Sequence, residues 1–226
     1  LHNAQRSRIG VVLCAGRAPS TISGNEKQAG RSSAVMWWQE QYDQAGIVRN
    51  FVKWDYELRA TEDAGDVVQR AFQVASTEPA GPVYLVLPRG VLTEKVKKIE
   101  IPDTTRFGAA SSPQADTELL AQAAAILLNA ENPLLVTGHS GRNPEAVAPL
   151  VELAETLGVR VIHSDVRMNF PNRHPLSSET DISQHLPQTD ALLIIDNDVP
   201  YTPSVVRPRP DCKIIQIDID PIKEKL

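Results

Sequence analysis

The chain holds only two cysteines in 226 residues, Cys14 and Cys212, set far apart inside apolar runs. That spacing supplies neither a disulfide framework nor a zinc site, and it suits reduced, buried thiols in a cytoplasmic protein. No run approaches the ~18 consecutive apolar residues that a membrane span needs, which excludes a membrane as partner. Basic runs are scarce too. Beyond Lys95-Val96-Lys97-Lys98 the signs are scattered, and 23 Lys and Arg against 28 Asp and Glu leave a net charge of −5, so no nucleic-acid surface is indicated. The five histidines, His2, His139, His163, His174 and His185, make no HxxxH or HExxH pattern, and no GxSxG elbow occurs. Metallohydrolase and serine-hydrolase chemistry drop away, and no metal ligand set is expected. An initiating Met and a charged, apolar leader are also missing. The chain reaches a strand by Ile9 and stops just after another at Ile217, which reads as an interior piece of a longer polypeptide.

What is present is an ordinary globular composition, 42% hydrophobic and 23% charged. The length suits two compact units of about 100 residues each. In the first half, Ile9 to Ala15 and Pro82 to Leu87 are short Val-rich apolar runs, the pattern of strands buried in a parallel sheet. Between them, Val67, Val68, Ala71, Phe72 and Ala75 recur at helical spacing, so a helix is expected over 66–75, with a weaker strand over 47–52 before it. Residues 93–113 lose all periodicity and carry a Lys cluster, two prolines and a Gly-Ala-Ala-Ser-Ser tract, the composition of a linker. The second half alternates more regularly. A helix is expected over 115–130, a strand over 133–137, and a second helix capped by Asn143 and closed by Gly158. Strands follow over 159–163, 191–195 and 213–218. The expected fold is α/β, with two parallel-sheet three-layer units, the second doubly wound and Rossmann-like.

Three places invite chemistry, each with a plain alternative. Gly138-His139-Ser140-Gly141 sits between a strand and a helix, where backbone N–H groups and the helix dipole can hold a phosphate. It is not a GxGxxG, and any α/β sheet needs a turn there. Asp218 ends the last strand, where an acid can accept from a ribose hydroxyl or cap the next turn. Gly138, Gly141 and Asp218 are therefore the candidate nucleotide-site residues. The adjacent pair Trp37-Trp38 on a helix would point about 100° apart, so one of them faces a partner, a cleft or a neighbouring domain.

The order of motifs carries more than any one of them. The runs LHNAQRSRIGVVLCAGRAP, MWWQEQYDQAGIVRNFVKWDYEL and GPVYLVLPRGVL resemble the later part of the pyrimidine-binding domain of thiamine-diphosphate enzymes of the acetolactate synthase and 2-keto-acid decarboxylase type. LLNAENPLLVTGHSGR, LVELAETLGVRVIHSD, NFPNRHPLSS, TDALLIIDNDVPYTP and KIIQIDIDP resemble that superfamily's central domain, in the same order. The resemblance implies a partial pyrimidine-binding domain over 1–92, a linker over 93–113 and a central domain over 114–226. It implies thiamine diphosphate and Mg²⁺ in the full-length protein, a 2-keto acid substrate that is decarboxylated or carboligated, and a homo-oligomer, dimer or tetramer. Gln39, in a WQE that resembles the synthases' FQE, would lie near the substrate, and Lys53, in VKWDYEL, would line the entrance. Trp54 stands where the synthases usually have His.

The departures matter as well. The activating glutamate is expected upstream of Leu1 and the Mg²⁺-binding GDG…N after Leu226, so no catalytic residue is assigned within the chain. DNDVPYTP stands where an arginine-bearing GxRFD would hold FAD, so FAD is not expected. The alternative from another class is a non-catalytic nucleotide-binding or interaction module built on the central-domain fold, since topology alone permits it.

Overall fold

A computed structural model of the chain describes residues 1–23, 30–164, 167–178 and 181–220. Asp165 and Pro221, which close two of the motifs quoted above, lie outside the described residues. The chain divides into two compact units, Leu1–Ser112 and Pro113–Leu226.

Unit 1 runs α1 (His2–Arg6), β1 (Val12–Arg17), α2 (Val35–Trp38), β2 (Trp54–Glu57), α3 (Ala64–Ser76), β3 (Val83–Pro88) and α4 (Arg89–Leu92). Its three strands are parallel, in the order β1-β3-β2. The central position explains why β3 is an almost unbroken apolar run: it is buried along nearly its whole length. Against one face of it, α3 sets Val67, Ala71 and Ala75, a stripe at four-residue spacing that packs on Val83 and Leu85. Edge strand β1 is much more open, and Leu13 is exposed. Cys14 is exposed for the same reason, which corrects the expectation of two buried thiols; both cysteines are free and Cys212 is half-buried.

The strand expected over 47–52 is instead a pair of 3-10 turns, Ala45–Ile47 and Arg49–Phe51. Arg49 pairs with Asp43 at 2.7 Å and with Asp55 at 3.1 Å, and those contacts fold the apolar segment back on itself. Extended pairing starts only at Lys53, whose N–H donates to the Pro82 carbonyl. The aperiodic segment after β3 runs along α3. Gln69 and Gln73 donate side-chain N–H groups to the carbonyls of Phe107 and Gly108.

Unit 2 runs α5 (Thr117–Leu128), β4 (Pro133–Thr137), α6 (Val147–Leu157), β5 (Arg160–His163), β6 (Ser177–Ser178), β7 (Ala191–Ile195) and β8 (Lys213–Ile217). All strands are parallel, in the order β6-β5-β4-β7-β8. Asp116 starts α5 by accepting from the N–H groups of Glu118 and Leu119. Asn143 caps the 3-10 turn Pro144–Ala146 that leads into α6. Gly158 closes α6 at φ 61°, the left-handed conformation that glycine adopts without a Cβ penalty. Both sheet faces are covered. Leu127, Leu150 and Ala154 of α5 and α6 pack with Leu135, Val161 and Leu193 on one face. On the other, Leu134, Val136, Leu192 and Ile194 meet Leu186 and Ile182 from 3-10 turns. The α/β architecture with two parallel sheets is thus as the patterning implies.

Candidate functional site

Parallel strands point their carboxyl ends at one edge, and loops leaving that edge are where α/β proteins place ligands. In unit 1, β1 ends at Arg17 opposite Pro88, the end of β3. A cleft of about 560 Å³ opens there, lined by Gly16, Met36, Gln39, Gln44, Tyr84 and Arg89 among others. That volume suits a small organic ligand. α2 brings Met36 to the cleft, and Gln39 follows as the residue that ends the helix. The sequence-predicted Gln39 therefore lies in the cleft.

The charges around it are arranged in pairs. Arg17 is paired with Glu57. Arg31 donates to Glu40 at 2.7 Å and to the Pro19 carbonyl at 3.0 Å, with its guanidinium 4.3 Å from the Trp37 ring centroid. The hydrogen bond from Arg31 holds the Glu40 carboxyl below its ordinary range. Trp37 is thereby spent on a cation–π contact, whereas Trp38 is 78% exposed.

Lys53 and Trp54 lie elsewhere. Register places Trp54 opposite Val83, at the amino end of the sheet, five residues and about 16 Å from the carboxyl edge at Pro88. The Lys53 ammonium donates to the carbonyls of Val74 (2.7 Å) and Thr77 (2.6 Å), closing the end of α3. Burial lowers its pKa, with Glu78 opposing that shift. Trp54 stacks on Tyr56 with ring centroids 5.4 Å apart and packs against the apolar core. Neither joins Gln39 at the cleft.

In unit 2 the strand order reverses between β4 and β7, and the Gly138–Gly141 turn sits at that crevice. Two of its N–H groups are already engaged. His139 N–H donates to the Asp196 carbonyl at 2.9 Å, and Gly141 N–H donates to Asn169 Oδ1 at 2.9 Å. Arg142 forms an ion pair with Asp196 across the mouth. A Cβ on Gly141 would lie 1.9 Å from the Met168 carbonyl oxygen, so this glycine is required for packing. Asp218 caps its own turn, accepting from the Asp220 N–H at 2.8 Å. The turn is folded onto the protein through these contacts.

Among the described residues, no group of three or more His, Cys, Asp or Glu side chains is placed to hold a metal ion. No helix among them is long and apolar enough to cross a membrane. Sequence reasoning missed Gln44, Tyr84, Arg89 and Asn169. Tyr84 lies within, and Arg89 just after, an apolar strand that reads as core, so neither carries a local signal of its place in the cleft.

Residues 120–225 match the family model for the thiamine pyrophosphate enzyme central domain. Acetolactate synthase of Mycobacterium leprae is 26% identical over 231 residues, covering 98% of this chain and 35% of that protein. Benzoylformate decarboxylase of Pseudomonas aeruginosa is 26% identical, covering 98% of this chain and 42% of that protein. The crystal structure of benzoylformate decarboxylase from Polynucleobacter necessarius shares the fold at a TM-score of 0.77 and 20% identity, over 99% of this chain and 41% of that chain. The chain thus spans about a third to two-fifths of the relatives it matches. Collinear similarity through both units, together with the central-domain match over 120–225, makes the chain similar along nearly its whole length to thiamine-diphosphate-dependent enzymes.

Proposed function

We propose that these residues are the later part of a pyrimidine-binding domain, over 1–92, joined through 93–113 to a central domain, in an enzyme that decarboxylates or carboligates 2-keto acids. The observation that carries the reading is similarity across 98% of the chain to both a synthase and a decarboxylase, with Gln39 set in a cleft at the carboxyl edge of unit 1. Thiamine diphosphate, when bound, supplies an electron sink for the carbanion left by loss of CO₂.

The described residues do not fit a Mg²⁺ clamp, since no acidic or His/Cys group of three is assembled among them. The reading therefore assigns Mg²⁺, the diphosphate grip and the activating glutamate to other parts of the polypeptide. What this chain does is shape and support: the sheet of unit 1 fixes the cleft floor, and Gln39 offers an amide to a substrate oxygen. Unit 2 carries no nucleotide in this reading, because the N–H groups of His139 and Gly141 are spent internally. The same reading implies a cytoplasmic dimer or tetramer, as in the family.

The test compares two polypeptides. The product of the complete reading frame should release CO₂ from a 2-keto acid only with thiamine diphosphate and Mg²⁺ present, and the 226-residue chain should not. CO₂ release by the complete product without the cofactor, or none with any of a panel of 2-keto acids, overturns the assignment.

A further inference from the structure

The cleft of unit 1 holds one polar arrangement that its ion pairs do not use. Gln44 Nε2 donates to the Gly16 carbonyl at 2.9 Å and lies 3.1 Å from Tyr84 Oη. A backbone carbonyl can only accept, so the amide atom facing both groups is the nitrogen, and the Tyr84 oxygen is the acceptor in that contact. The phenolic proton is then directed away from Gln44. Tyr84 is 6% exposed, lines the cleft and meets no acceptor for that proton among the described residues. A buried donor left without an acceptor costs about 1–3 kcal/mol unless a ligand or water completes it.

Arg89 lines the same cleft from the first position of α4. The other cleft arginine, Arg17, is neutralised by Glu57, and neighbouring Arg31 by Glu40. Arg89 instead approaches only the Met36 sulfur, at 3.8 Å, and has no carboxylate partner among the described residues. A guanidinium matches a carboxylate with two parallel N–H···O bonds, and a phenol lining the same cleft can donate a third to the same anion.

We propose that Tyr84 and Arg89 form a carboxylate-binding subsite, with the phenol and guanidinium both donating to the carboxylate of a small organic acid in the unit 1 cleft. The assignment deepens the proposed 2-keto acid reading and rests on it for the choice of acid. Gln44 is the positioning residue, because its amide fixes which way the phenolic proton points. The Gln39 amide lies in the same cleft, available to the acid's second oxygen function.

Titration calorimetry on the 226-residue chain tests this with pyruvate and benzoylformate as probes and their methyl esters as neutral controls. The free acids should bind more tightly than the esters. Arg89→Gln should weaken acid binding about tenfold or more, and Tyr84→Phe about three- to tenfold, with ester binding unchanged in both. Gln44→Leu should reproduce part of the Tyr84→Phe loss. Far-ultraviolet circular dichroism of each variant checks folding, and Arg89→Lys, which keeps charge but not the fork, should restore affinity only in part. Equal binding of acids and esters, no binding of either acid, or Tyr84→Phe and Arg89→Gln variants that bind acids as the unaltered chain does, each overturns the subsite. If acetate and pyruvate bind alike through Arg89 and Tyr84, the subsite stands and the 2-keto acid reading loses its support. If acids bind independently of both residues, the reading stands and the subsite falls.

Discussion

Asn169 is a fully buried amide that ties three parts of unit 2 together. Its Oδ1 accepts from Gly141 N–H, and its Nδ2 donates to the Gly138 carbonyl at 3.0 Å and approaches the Ser164 carbonyl at 3.2 Å. Removing it leaves the Gly141 N–H and the Gly138 carbonyl without the partner they have in the folded protein, and an unsatisfied buried polar group is costly. Asn169→Ala should therefore cost about 2–3 kcal/mol in urea unfolding, while Asn143→Ala, which removes only an exposed cap, should cost about 1 kcal/mol. Equal losses would show that the network adds nothing beyond an ordinary cap. At this scale the sequence was informative where a motif has a fixed place in the fold. Gln39 follows a short helix and reaches the cleft, whereas Lys53 and Trp54, equally prominent in the motif, face the opposite edge because β2 begins at Trp54. Asn169 sits in an aperiodic stretch, and its partners are 28 and 31 residues away, a separation that no local pattern encodes.

Among elements, the junction between α5 and β4 shows how a single acid can hold a turn. Asp190 accepts from the N–H groups of Glu131 at 2.7 Å and Asn132 at 3.0 Å, and so fastens the entry of β4 to that of β7. Burial raises its pKa, but the backbone donors outweigh that and hold the carboxyl below its ordinary range. A carboxyl depressed in the folded state contributes stability that is complete above its unfolded value of about 3.9 and fades as pH falls through the lower folded value. Asp190→Asn should lower the urea midpoint at pH 7, and the gap to the unaltered chain should close as the pH drops below about 4. A gap that stays constant down to pH 2.5 would mean that the carboxylate charge is irrelevant to the turn. The helices and longer strands were legible because each has a strong period or a marked end: Gly158 closing α6, Asp116 opening α5, Pro133 opening β4. The segment over 47–52 was not, since its β-branched and aromatic residues favour extension while the Arg49 contacts to Asp43 and Asp55 decide the local fold. β6 is too short, at two serines, to carry a pattern.

For the whole molecule, the two units have unequal cores. Unit 2 closes both faces of a five-stranded sheet with separate apolar clusters. Unit 1 has three strands, and Ile9, Val11, Leu13, Phe72 and Tyr42 remain exposed around them. Buried apolar area is the main source of stability, so unit 1 should be the weaker of the two. All three tryptophans, Trp37, Trp38 and Trp54, lie in unit 1, which makes indole fluorescence a reporter of that unit alone. Far-ultraviolet circular dichroism reports both. On heating, the fluorescence transition should come first and the dichroism should show a second loss at higher temperature, with a hydrophobic dye binding before either. Coincident transitions in the two signals would mean that the units unfold as one body and that the open apolar surface of unit 1 is no weak point.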